Sequence, residues 1–220
     1  MTKVILRIGV ASIVMALCPH SSMAETITPD LKAVSEGKGW KGSIAATTLV
    51  EKDGMAAVQF DKRAQNVVWL DGFDFRDGTI EFDAKGKSSP PQGSFIGVSF
   101  RTLDGETHDA VYFRPFNFKA SDPGRKSHAV QYVSEPGWPW RRLRTEMPGV
   151  FEQPIDPAPD GDAWFHVKIT VEDREVKVFV NGASQPSLAV KELSDRQGGS
   201  VGLWCNGYGI IANLKITPKK

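Results

Sequence analysis

The sequence predicts an all-β fold in which two antiparallel sheets pack face to face as a sandwich. Three observations predict it. Short runs of alternating apolar and polar residues recur from residue 45 to the C-terminus. Gly, Asp and Asn punctuate them. The helical period is almost missing: only Asp30–Ser35 and Lys191–Asp195 read as helical, about one turn each.

The strands follow in order near Thr47–Lys52, Ala56–Asp61, Asn66–Leu70, Thr79–Lys85, Ser94–Arg101 and His108–Arg114. Others follow near His128–Ser134, Ala163–Glu172, Glu175–Val180, Ser187–Val190, Gly199–Cys205 and Ile210–Ile216. No repeat, low-complexity tract or linker divides them. The alternation predicts a core built on Val98, Phe100, Val111, Phe113, Val167, Ile169, Val178, Val180, Leu203 and Leu214.

The N-terminus predicts export. Lys3 and Arg7 precede an apolar stretch, Ile8 to Cys18, too short to span a bilayer as a helix. Ser22 and Ala24 are small residues at the −3 and −1 positions of a cleavage site. Residues 1–24 therefore read as a signal peptide and 25–220 as one domain, periplasmic or secreted, with no membrane attachment after cleavage. The leader holds two of the 27 basic residues and none of the 26 acids, so cleavage takes the formal charge from +1 to −1. A near-neutral chain is no general nucleic-acid binder. Cleavage also removes Cys18, which leaves Cys205 alone and excludes an intrachain disulfide or a cysteine zinc site. No pair of histidines has metal-ligand spacing, so no metal-binding site residue and no cofactor is expected, while a structural calcium ion is left open.

Trp164-Phe-His-Val-Lys-Ile-Thr-Val, a tight turn, and Val176-Lys-Val-Phe-Val-Asn-Gly182 form a tryptophan-led hairpin. Gly199-Ser-Val-Gly-Leu-Trp-Cys205 and Ala212-Asn-Leu-Lys-Ile216 follow it, and Asp77–Asp83, Gly97–Arg101 and Ala129–Tyr132 precede it. In this order the motifs resemble the laminin G-like and concanavalin A-like jelly rolls over most of residues 60–217. Within that superfamily the chain is most similar to the 3-keto-disaccharide hydrolase-like domain family, relatives of family 16 glycoside hydrolases. The resemblance implies a curved sheet whose concave face holds a glycan, and cleavage of a 3-keto-glycosidic bond if the protein is catalytic. It departs from family 16 at one place. The Glu-x-Asp-x-x-Glu strand becomes Glu81-Phe-Asp83-Ala-Lys-Gly86, so the second carboxylate of a retaining pair is gone.

Alternation also nominates a site. Arg101, Tyr112, Arg114, Gln131 and Glu135 fall on the non-core side of three strands. They form either a ligand-binding cluster on the sheet or a structural polar network. His128 falls on the core side. The stretch Glu135-Pro-Gly-Trp138-Pro-Trp140-Arg141-Arg142-Leu-Arg144 reads as a proline-stiffened loop. Its tryptophans either stack on sugar rings, with Arg141 beside them, or pack the loop onto the sandwich. Between Arg114 and Arg144, seven basic residues face two acids, an excess that either favours an anionic glycan or is neutralised from elsewhere. Opening a 3-keto-glycoside needs one base and an oxyanion stabiliser: Glu135 or His108 as base, Arg101 or Arg114 as stabiliser. The alternatives are a non-catalytic lectin-like module and a laminin G-like protein-binding domain.

Overall fold

Two sheets of seven strands each make up a computed structural model that describes residues 25–90 and 93–219. The expected signal peptide, 1–24, lies outside the described residues. In chain order the strands are β1 (Trp40–Gly42), β2 (Thr47–Lys52), β3 (Met55–Phe60), β4 (Gln65–Leu70), β5 (Gly78–Lys85), β6 (Ser94–Thr102) and β7 (His108–Phe113). They continue with β8 (Val130–Glu135), β9 (Glu152–Gln153), β10 (Trp164–Glu172), β11 (Glu175–Val180), β12 (Leu188–Lys191), β13 (Ser200–Gly207) and β14 (Gly209–Pro218). The front sheet has the order β1-β4-β13-β6-β7-β8-β9, and the back sheet β12-β11-β10-β5-β14-β3-β2. All neighbours are antiparallel. The last two strands, β13 and β14, insert between β4 and β6 and between β5 and β3, so the C-terminus locks both sheets.

Local sequence explains the connections. Asp53-Gly54 and Asp173-Arg174 are two-residue hairpin turns with positive φ at both positions, the conformation that matches strand twist. Asn181-Gly182 takes the same conformation after β11. The sheets meet through their alternating apolar faces, and all ten predicted core residues are buried between them. Each such aliphatic or aromatic side chain contributes about 1.5–3 kcal/mol on leaving water. Cys205 is a free, buried thiol in this core.

Helix is confined to short pieces. Leu31–Glu36 is 3₁₀, capped by the Asp30 side chain, as the sequence predicts within a residue. Residues 191–195 are not helical; Glu192 and Ser194 are drawn into the end of the sandwich as ligands of Arg101 and Asp109. Two helices arise where the sequence predicts loop: α1 (Pro123–Lys126), capped by Asp122, and α2 (Trp140–Glu146), entered through Pro139. No helix among the described residues is long and apolar enough to cross a membrane.

Two bulges redirect side chains. Opposite β13, β6 carries one extra residue between Ser99 and Thr102, with Arg101 at φ 47°. Opposite β5, β14 carries one between Ala212 and Lys215, with Asn213 at φ 54°. Past each bulge the inward and outward faces exchange.

Candidate functional site

The outer face of the front sheet holds a groove of about 510 Å³. Ladder register builds its floor. Trp204 on β13, Gly97 on β6, Tyr112 on β7 and Gln131 on β8 stand in one cross-strand row. At position 97 a Cβ would lie 2.0 Å from the Val111 carbonyl oxygen. With glycine there, the rings of Tyr112 and Trp204 close over the gap and stack, centroids 4.4 Å apart and planes at 17°. Phe95 meets Tyr112 edge-on at 6.2 Å, and Phe116 meets Phe95 at 5.2 Å. Trp140, at the start of α2 and 38 % exposed, stands at the rim.

One end of the groove is basic. Arg114, the residue after β7, is buried, and its guanidinium donates to the Tyr112 hydroxyl at 3.0 Å, Gln131 Oε1 at 3.1 Å and the His128 carbonyl at 3.0 Å. Burial draws the Arg114 pKa down and pushes the Tyr112 hydroxyl up to about 12. Glu152 on β9 lies beside this group, held bidentately by Arg144 at 2.8 and 2.7 Å and 3.7 Å from Arg114 Nη1. His128 Nδ1 comes within 2.9 Å of Glu152 Oε1 without hydrogen-bond alignment. Burial lowers the His128 pKa against the pull of that carboxylate, so the ring is largely neutral at pH 7. Arg125 completes the end; its guanidinium donates to Asn117 Oδ1 and the Phe116 carbonyl, and its backbone N–H to Asp122 Oδ1.

The other end carries Val133 and Glu135. Glu135 pairs across the ladder with His108. Its carboxylate has no hydrogen-bond donor among the described residues, and burial raises its pKa. His108 is fully buried, and neither ring nitrogen has a hydrogen-bond partner among the described residues. Burial lowers its pKa to about 4, with Arg196 adding to the shift and Asp109 and Asp104 opposing it. A neutral imidazole is in the right state for a base, but His108 does not line the groove.

Of the nominated residues, Tyr112, Arg114, Gln131 and Glu135 share this face, Gln131 as a buried support for Arg114. Trp140 is at the rim as expected. Arg101 is a correction. The β6 bulge turns it to the interior, where Glu192 holds it bidentately at 2.6 and 3.0 Å and Asp77 lies at 3.4 Å. Arg101 and Arg114 therefore lie on opposite faces of the front sheet, and the five-residue cluster loses that member. Trp138 is a second correction: it does not line the groove but is half-buried beside Leu193 and Arg196 in a neighbouring hollow that shares Glu135 with it, with the Arg142 guanidinium 3.8 Å from its ring centre. Arg141 covers Trp140 at 5.3 Å but does not line the groove. His128, expected on the core side, lines it instead. Sequence reasoning nominated none of Glu152, Trp204 and Phe95, and counted Arg125 only among the seven basic residues between Arg114 and Arg144. For Trp204 the signal was present, since alternation with Leu203 and Cys205 sets it outward.

Glu81 and Asp83 sit on the outer face of the back sheet, where Asp83 bonds His166 at 2.8 Å and Asn213 at 2.6 Å. That surface is remote from the groove, in keeping with the loss of the family 16 carboxylate pair. No group of three His, Cys, Asp or Glu among the described residues is placed to hold a metal ion.

No family model matches the chain, and no curated protein matches it. Solved structures do. The chain is similar to a carbohydrate-binding module from Bacillus subtilis, with TM-score 0.56 at 16 % identity over 81 % of this chain and 96 % of that one. A second Bacillus subtilis protein, of unknown function and galectin-like fold, gives 0.58 at 14 % over 87 % and 94 %. A Bacillus licheniformis β-glucanase gives 0.51 at 12 % over 82 % and 92 %. The fold is the concanavalin A-like jelly-roll sandwich that the strand motifs predict.

Proposed function

We propose that this is an exported protein that binds carbohydrate in the front-sheet groove. The observation that carries the reading is the floor itself. Phe95, Phe116 and Trp140, the aromatic rings of the lining that are not buried, offer apolar surface to the C–H face of a sugar above the buried Tyr112–Trp204 stack, while Arg114, Arg125 and Glu135 address its hydroxyl edge. The volume lies within the range of small-molecule sites. The presence of a carbohydrate-binding module and a glucanase among proteins of this fold supports the reading.

A second reading, turnover of a 3-keto-glycoside, is favoured by the unpaired, burial-perturbed Glu135. Ordinary glycoside hydrolysis is not, because Glu135 is the one carboxylate in the groove lining among the described residues, and the nearby Glu152 is buried and committed to Arg144. Glu135 faces His108, and Arg114 stands six residues along from His108, about 20 Å of extended strand. Base and stabiliser thus address different parts of a ligand, which places binding ahead of catalysis. Calorimetry and product analysis with plain and 3-keto disaccharides test both. Binding without turnover establishes the binding protein, and turnover abolished by Glu135→Gln establishes the enzyme. No binding to any sugar refutes the proposal.

A further inference from the structure

The basic end of the groove is charged beyond its own countercharge. Arg114, Arg125 and Arg144 meet there, and Glu152 is the carboxylate set against them, leaving an excess of two positive charges (three less one). Glu152 is saturated by Arg144, so Arg114 is left with neutral acceptors at hydrogen-bond distance and the Arg125 guanidinium with neutral acceptors alone. The anion nearest the buried Arg114 guanidinium, Glu152 at 3.7 Å, is shared with Arg144, and a low-dielectric site strengthens the attraction for a further one.

Arg114 has donors to spare: of its five N–H groups, three are engaged. At the far end Glu135 is an acid with no cation bonded to it among the described residues, so the groove is polarised along its length.

We propose that the ligand is an anionic sugar whose carboxylate or sulfate sits against Arg114 and Arg125, with the hydroxyls of the following ring toward Glu135. This rests on the carbohydrate reading and adds both the charge and the direction of the chain. Arg125 is the discriminating residue because it is exposed and its removal leaves the Arg114–Glu152–Arg144 support in place.

The test is calorimetry at low and physiological salt. The probes are oligogalacturonate, oligoglucuronate and oligomannuronate, their carboxyl-reduced neutral counterparts, and a sulfated galacto-oligosaccharide. An acidic sugar should bind at least about tenfold tighter than its neutral counterpart, the lower end of what one charge-assisted hydrogen bond contributes. The preference should shrink with salt and mostly vanish in Arg125→Gln. The uronate and sulfate arms identify which anion is carried. Equal binding of acidic and neutral sugars overturns the proposal and leaves the carbohydrate reading standing. Retention of the full preference in Arg125→Gln overturns the placement. Binding of inorganic sulfate without any sugar overturns the carbohydrate reading and this proposal with it.

Discussion

Replacing His108 by phenylalanine should change how stability depends on pH. The imidazole is fully buried on β7, with neither nitrogen bonded among the described residues. Its pKa falls from 6.5 to about 4, chiefly through burial. The folded protein therefore resists a proton that the unfolded chain accepts. Stability linked to this group is complete above pH 6.5 and is lost as pH falls toward 4. A drop of that size corresponds to about 3 kcal/mol over the window. Phenylalanine keeps the flat ring and removes the proton site. Asp104, Asp109, Glu135 and Arg196 surround the position in both proteins. Glu135 and Glu192, whose pKa values burial raises, act with the opposite sign. At pH 7 the variant should equal or exceed the wild type, because removing an unsatisfied buried polar group relieves about 1–3 kcal/mol. Urea unfolding followed by tryptophan fluorescence, at steps between pH 7.5 and about 4, gives the difference directly. A wild-type-minus-variant difference that stays flat across the window, or an imidazole that titrates near 6.5 by NMR, refutes the reasoning.

Two further predictions separate groove from scaffold. Trp140→Ala should cost roughly 1–3 kcal/mol of sugar binding, on the scale of a lost ring stack, with little change in melting temperature. Trp138→Ala should leave binding intact and cost about 2 kcal/mol of stability, about half of what a fully buried ring costs; calorimetry and thermal melts on both variants read this, and the reverse pattern sinks it. Glu192→Gln strands the buried Arg101 guanidinium and should cost about 3–5 kcal/mol in chemical denaturation, whereas Arg101→Met with Glu192→Leu should recover most of the loss.

Where the site was legible in the sequence, it was legible for one reason. Tyr112, Gln131 and Glu135 belong to β7 and β8 and Arg114 directly follows β7; the two strands run against each other without a register shift, so period two carries each side chain to the face it predicts. The same rule placed all ten core residues. It failed on Arg101 because one extra residue in β6 exchanges the faces, and arginine does not advertise a left-handed backbone as glycine or asparagine would. It was silent on Glu152, whose two-residue strand is too short to show a period and whose partners, Arg114, His128 and Arg144, come together only in space. The Trp138–Arg144 stretch mixes both limits. Pro139 was a helix-entry signal, but seven residues of α2 are two turns, too few for the 3.6 period to stand out, and reading them as loop put both tryptophans on one surface. Once Trp140 opens a helix, its neighbour two residues back pairs with Ser134 and faces away. Strand interiors are therefore written in local pattern. The ends of strands, where this groove draws its charge, are written in contacts that only the folded chain makes.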